Sequence, residues 1–158
     1  MNWQQVCEDK DLADLPYKIE LNRQGQIIMS PARSKHSIFQ GRIERHLNAL
    51  MKGGEAFPEC AVDTSDGTKV PDVVWASEAK LNKYFDLASW PEAPEVCVEV
   101  LSYTNTEEEM ATKRQLYFER GAVEVWLCSE QGRLRFFAPH GQLSVSSLCP
   151  AFPASIEK

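Results

Sequence analysis

The sequence predicts a layered α/β fold, a mixed sheet packed between helices. Three observations carry this reading. Short β-branched runs, VPDVVW at 70–75 and EVCVEVL at 95–101, have the length and composition of buried strands. Between and around them lie segments whose apolar residues recur at three- and four-residue spacing, the pattern of helices packed on one face. No repeat, low-complexity tract or Gly/Ser linker divides the 158 residues, so residues 1–158 read as a single domain.

Taken in order, the chain opens with an acidic N-terminal turn. Tyr17-Lys18-Ile19-Glu20-Leu21 and Gln26-Ile27-Ile28-Met29 flank Asn22-Arg23-Gln24-Gly25 and predict an N-terminal β-hairpin with a glycine in its turn. Residues 34–51 predict a helix through Phe39, Ile43, Leu47, Leu50 and Met51, ended by Gly53-Gly54. Residues 70–75 form a strand with Pro71 near its start, where a missing N–H is tolerated. Residues 79–87 give a short helix, and residues 95–101 the clearest strand. Residues 106–120 predict a helix capped by Thr106, with Glu109 completing a capping box and Gly121 closing it. Strands follow at 123–128 and 134–137, joined through Gln131-Gly132, and a last one is expected at 143–148.

Composition excludes several classes. With 17 Lys and Arg against 23 Asp and Glu, the formal charge is −6, so the surface as a whole is not a polyanion-binding face. Five scattered cysteines without a CxxC pair give neither a disulfide framework nor a zinc knuckle, and fit a reducing cytoplasm. The N-terminus lacks the basic-then-apolar order of a signal peptide, and no uninterrupted apolar stretch is long enough for a membrane span. There is no nucleophile elbow, P-loop or Rossmann glycine pattern, and Cys97 reads as a core cysteine. His46 and His140 have no partner at metal-ligand spacing, and the four tryptophans are too dispersed for a stacking platform.

The informative feature is a set of ionisable residues in apolar settings. Alternation along 95–101 puts Glu99 on one face between Cys97 and Leu101, with Val96, Val98 and Val100 on the other. A carboxylate buried there needs a cation or a metal; the alternative is an edge strand with Glu99 facing water. Asp72 shares a face with Val70 and Val74, or else caps a loop after Pro71. Lys113 falls within the apolar stripe of Met110, Leu116 and Tyr117, where it either snorkels to the rim or meets a buried partner. Two carboxylates and a lysine converging across a sheet and a helix suit a divalent cation that activates water and neutralises charge on a phosphoryl group.

The order and spacing of VPDVV around Asp72, PEVCVEVLS around Glu99, Lys113-Arg-Gln-Leu-Tyr117 and Gly121-Ala-Val-Glu-Val-Trp126-Leu, preceded by Ile28-Met-Ser-Pro31 and His36, resemble the Uma-two family of PD-(D/E)XK nuclease-like proteins. The resemblance runs over about 15–139. It implies a restriction-endonuclease-like fold and catalysis by Asp72, Glu99 and Lys113. Asp72, Glu99 and the backbone carbonyl of Val100 would hold Mg²⁺ or Mn²⁺. Leu101 stands where the usual lysine two residues after the acid would be, and Lys113 takes its place from the following helix. Glu20 matches an acidic hairpin position and His36 a family histidine. Each also has an ordinary reading, an exposed strand glutamate and a half-buried helix-start residue.

The implied activity is divalent-metal-dependent hydrolysis of phosphodiester bonds, with DNA as substrate and a homodimer as the arrangement suited to cutting two strands. The competing reading is a catalytically inactive nuclease fold used for binding or assembly. Between Arg33 and Lys52, five basic residues face the single acid Glu44, which makes Arg33, Lys35, Arg42 and Arg45 the expected backbone-contacting set. Glu107, Glu108 and Glu109, beside the expected phosphate site, would repel a polyanion approaching from their side.

Overall fold

The computed structural model describes residues 1–31 and 33–158. The N-terminal segment is a short helix, α1 (Trp3–Glu8), rather than the turn expected from its acidity. Asn2 and Gln5 form a reciprocal capping box that satisfies its first amides. The hairpin follows as β1 (Tyr17–Leu21) and β2 (Ile27–Pro31), paired antiparallel with Glu20 opposite Ile28, its turn containing Gly25 at φ 75°.

Helix α2 (Ser34–Leu50) buries Phe39, Ile43 and Leu47, the face the sequence predicts. Three strands missed by the sequence reading come next: β3 (Gly54–Pro58), β4 (Val62–Thr64) and β5 (Gly67–Lys69). Gly54 does not merely end α2; it opens β3, where a Cβ would come within 2.1 Å of the Ala76 carbonyl oxygen. Then follow β6 (Val73–Ser77), α3 (Glu78–Tyr84), β7 (Val96–Val100), α4 (Glu107–Glu119), β8 (Glu124–Cys128), β9 (Leu134–Ala138) and β10 (Gly141–Leu143). Strand β6 begins two residues beyond Pro71, and α4 has the Thr106–Glu109 capping box expected of it.

Six strands form one mixed sheet in the order β10-β9-β8-β7-β6-β3. Only β7 and β8 run parallel, and α4 makes the crossover between them; the other pairs are antiparallel. Both faces are covered. Val73, Trp75, Val96, Val98 and Trp126 pack with Phe39, Ile43 and Leu47 of α2, while Val74, Ala76, Cys97 and Val125 pack with Tyr117 of α4 and Tyr84 of α3. The central strands therefore read as continuous apolar runs.

The hairpin β4-β5 ties β1-β2 to this core. Lys69 Nζ donates to the Leu21 carbonyl at 3.2 Å, and Arg23 pairs with Asp66 at 3.3 Å. Gly67 approaches so closely that a Cβ would lie 2.4 Å from the carbonyl oxygens of Leu21 and Asn22. This anchoring fixes the side chains that β1 directs toward the sheet.

The last strand is corrected from 143–148 to β10, because the following segment serves Glu124. The Glu124 side chain, 1% exposed, accepts from the Trp126 indole at 2.9 Å, the Ser146 hydroxyl at 2.6 Å and the amides of Ser147 and Leu148, each at 2.9 Å. Amides turned toward a carboxylate cannot join a sheet ladder. Replacing Glu124 with leucine removes the shared acceptor of four donors, each worth about 1–3 kcal/mol when left buried and unpaired. Urea unfolding of Glu124→Leu should show a loss of about 3 kcal/mol or more; an unchanged midpoint would contradict this role.

Candidate active site

Register brings the two motif acids together. Val73 pairs with Val98 across β6 and β7, so Asp72, one residue earlier, stands opposite Glu99, one residue later. Opposed residues of an antiparallel pair share a face, here the α4 face. Since β7 is bonded to a strand on each side, it is not an edge, and Glu99 is buried at 3% exposure. Asp72 is buried at 2% and sits just before β6 rather than inside it.

Each carboxyl oxygen has its own partner. Asp72 Oδ1 lies 3.1 Å from Lys18 Nζ, while Asp72 Oδ2 accepts from the Val100 amide at 2.7 Å and faces His36 Nε2 at 3.3 Å. Glu99 Oε2 lies 3.0 Å from Lys18 Nζ, and Glu99 Oε1 accepts from the Tyr117 hydroxyl at 2.6 Å and forms an ion pair with Lys113 Nζ at 3.2 Å. Lys113 Nζ also lies 3.0 Å from the Glu20 carboxylate, whose Oε2 accepts from the Val70 amide at 2.7 Å.

Lys113 therefore neither snorkels into solvent nor packs idly; it bridges Glu20 and Glu99. Glu20 is buried, not an exposed strand residue. His36 reaches Asp72 from the first turn of α2, and its Nδ1 is buried without a partner. Val100 ends β7, its amide fixed by Asp72.

Lys18 and Tyr117 were missed as site residues. The signal for Lys18 was its position two residues before Glu20 on the same strand, which puts both side chains on one face. Tyr117 lies one helical turn after Lys113, and the sequence presented it only as part of the apolar stripe.

The environment splits the two acids. Burial pushes the Glu99 carboxyl above the usual carboxylate range, more strongly than Lys113 and Lys18 pull it down. Burial acts the same way on Asp72, but the Lys18 charge and the His36 hydrogen bond outweigh it and hold Asp72 well below that range. Lys18 loses to burial but gains more from Glu99, Asp72 and Glu20, so its ammonium is held well above the usual lysine value. Burial, followed by the charges of Glu99 and Glu20, raises the Tyr117 phenol.

Lys18, Glu20, His36, Asp72, Glu99 and Lys113 line a cleft together with Arg33 and Lys35. Arg33 lies with its guanidinium 4.7 Å from the centre of the exposed Tyr103 ring, on the opposite rim. Arg42 and Arg45 are outside the cleft lining; Arg42 donates to the backbone carbonyl of Glu157. Among the three acids at the start of α4, Glu107 is held by Arg135 at 2.9 and 3.1 Å and Glu109 by the capping box.

Among the described residues, no group of three or more His, Cys, Asp or Glu side chains stands ready to hold a metal ion. The donor set nevertheless fits a hard divalent cation. Asp72 Oδ1 and Glu99 Oε2 converge on one cationic point, occupied by Lys18 Nζ, and Mg²⁺ is commonly held by only one or two carboxylates plus water and substrate oxygens.

A family model described as "Uma2: Putative restriction endonuclease" matches residues 9–154. The chain belongs to the Uma2 family. A comparison with curated proteins finds no match. Among solved structures, the Uma2 chain is similar to one described as "a putative nuclease belonging to DUF820" from Anabaena variabilis ATCC 29413, at 18% identity and a TM-score of 0.73, covering 98% of this chain and 94% of that one. That likeness shows the fold: a mixed six-stranded sheet flanked by helices. No helix among the described residues is long and apolar enough to cross a membrane.

His36 supplies a pH test. Burial lowers its pKa, but the hydrogen bond and charge of Asp72 more than compensate, leaving it raised from 6.5. Its contribution is full below 6.5 and is lost as pH rises through the raised value. The melting-temperature difference between wild type and His36→Gln should therefore shrink with rising pH across that window; a difference independent of pH counts against the pairing.

Proposed function

We propose that the protein is a divalent-metal-dependent endonuclease hydrolysing phosphodiester bonds of DNA. The observation that supports this most is the convergence of Asp72 and Glu99 on one cationic point at the end of β7, in a chain of the Uma2 family. Asp72, Glu99 and the Val100 carbonyl would hold Mg²⁺ or Mn²⁺. When bound, the ion would lower the pKa of a coordinated water and offset charge developing on the phosphoryl oxygens.

The chain's own residues supply the rest. Asp72, kept ionised, is the constant anionic ligand. Glu99 is oriented by the Tyr117 hydroxyl and by Lys113. Lys113, with an ammonium beside the acids, positions the attacking water or the scissile phosphate, and Glu20 and the Val70 amide hold that lysine in place through the Glu20 carboxylate. Arg33 and Lys35 contact the nucleic-acid backbone at the α2 rim, so the substrate enters from that side rather than past Glu108. Two copies of the chain would present two such sites to a duplex.

One observation favours the second reading, a catalytically inactive member of the fold: all three carboxylates are already paired with the two lysines. Cleavage assays separate the readings. Mg²⁺- or Mn²⁺-stimulated cutting of plasmid or oligonucleotide DNA is expected, falling about 100-fold or more in Asp72→Ala, Glu99→Ala and Lys113→Ala. Absence of metal-stimulated cleavage of DNA or RNA, single- or double-stranded, would favour the binding module.

A further inference from the structure

Asp72 Oδ1 and Glu99 Oε2 share one partner, the Lys18 ammonium. Asp72 Oδ2 is engaged by the Val100 amide and His36, and Glu99 Oε1 by Tyr117 and Lys113. A cation held by both carboxylates would compete for Asp72 Oδ1 and Glu99 Oε2, the two oxygens that Lys18 Nζ contacts at 3.1 and 3.0 Å. A divalent ion needs those oxygens at about 2.0–2.6 Å, and a second positive charge cannot remain between them.

We infer that Lys18 is the built-in competitor for the metal: its ammonium is the counterion shared by Asp72 and Glu99 and must leave for a divalent cation to enter between them. This rests on the metal-dependent reading above and adds to it the control of metal affinity. The geometry permits the exchange. Lys18 is carried by β1, which pairs only with β2 and is not a strand of the six-stranded sheet. Its side chain keeps 15% exposure and borders the cleft, so the ammonium can turn outward on its four-carbon stem without moving the sheet. Charge balance permits it as well. Glu20, Asp72 and Glu99 face two ammoniums before the exchange and one ammonium plus a divalent ion after it.

Lys113 differs in kind. It contacts Glu20 and the other oxygen of Glu99, so it does not occupy the bridging position. Removing Lys18 should therefore tighten metal binding, whereas removing Lys113 should not.

Calorimetric titration of the full chain with MnCl₂ tests this. Lys18→Met should bind Mn²⁺ about ten-fold or more tightly than wild type, within the range that groups around a metal site exert. Its melting temperature should also rise more on adding Mn²⁺ than that of wild type. Lys18→Arg keeps the charge and adds a forked donor that suits two carboxylate oxygens, so it should bind Mn²⁺ more weakly than wild type. Lys113→Met should show no tightening. Binding in Lys18→Met equal to or weaker than wild type overturns the inference, as does tighter binding in Lys18→Arg, while leaving the metal site itself standing. Failure of wild type and every variant to bind Mn²⁺ overturns both the inference and the metal-dependent reading.

Discussion

Two like charges held in the protein interior set the terms for the rest of this structure. Asp72 and Glu99, with side chains only 2% and 4% exposed, stand opposite each other where β6 begins and β7 ends. Each would repel the other and neither is solvated, so the fold must bring positive charge to them. Removing one partner of such a buried pair typically costs about 3–5 kcal/mol, a large share of the stability of a chain this size. Lys18, Lys113 and the helix-start His36 converge from three different elements to meet that demand. Such an arrangement is a poor way to gain stability, because apolar replacements do as well. Its presence in the middle of an apolar sheet is what points to chemistry.

The scaffold is organised to keep that cluster in place. A sheet covered on both faces makes the strand ends rigid, and the α4 crossover places Lys113 and Tyr117 over Glu99. The hairpin β1-β2, outside the main sheet, delivers Lys18 and Glu20 from the opposite side and is tied down by Lys69 and by the close approach of Gly67. The Glu124 network pins the C-terminal segment to β8, far from the cleft, with neutral donors alone. A carboxylate that only holds structure is satisfied by hydroxyl, indole and amide groups, whereas the cleft carboxylates are paired with the ammoniums of Lys18 and Lys113.

Much of this was legible in the sequence because it rested on periodicity. The faces of β7 and α2, the capping box of α4 and the place of Lys113 within its apolar stripe all follow from alternation or from three- and four-residue spacing. Strands β3, β4 and β5 were hidden because they are three to five residues long and mix polar with small residues, leaving no period to detect. Strand β10 was misplaced because the side chain of Glu124, distant in sequence, claims the amides that follow it. Lys18 was missed for a related reason. Its partners lie 54 and 81 residues away, and a lysine on a hairpin strand carries no local mark of burial.

The proposed divalent-cation site consists of the paired oxygens Asp72 Oδ1 and Glu99 Oε2. Anomalous diffraction from crystals equilibrated with Mn²⁺ tests it most directly. A single strong peak bonded to both oxygens is expected, with the Lys18 ammonium displaced into the cleft. A map with no peak there, and with Lys18 still about 3 Å from both carboxylates, would contradict it.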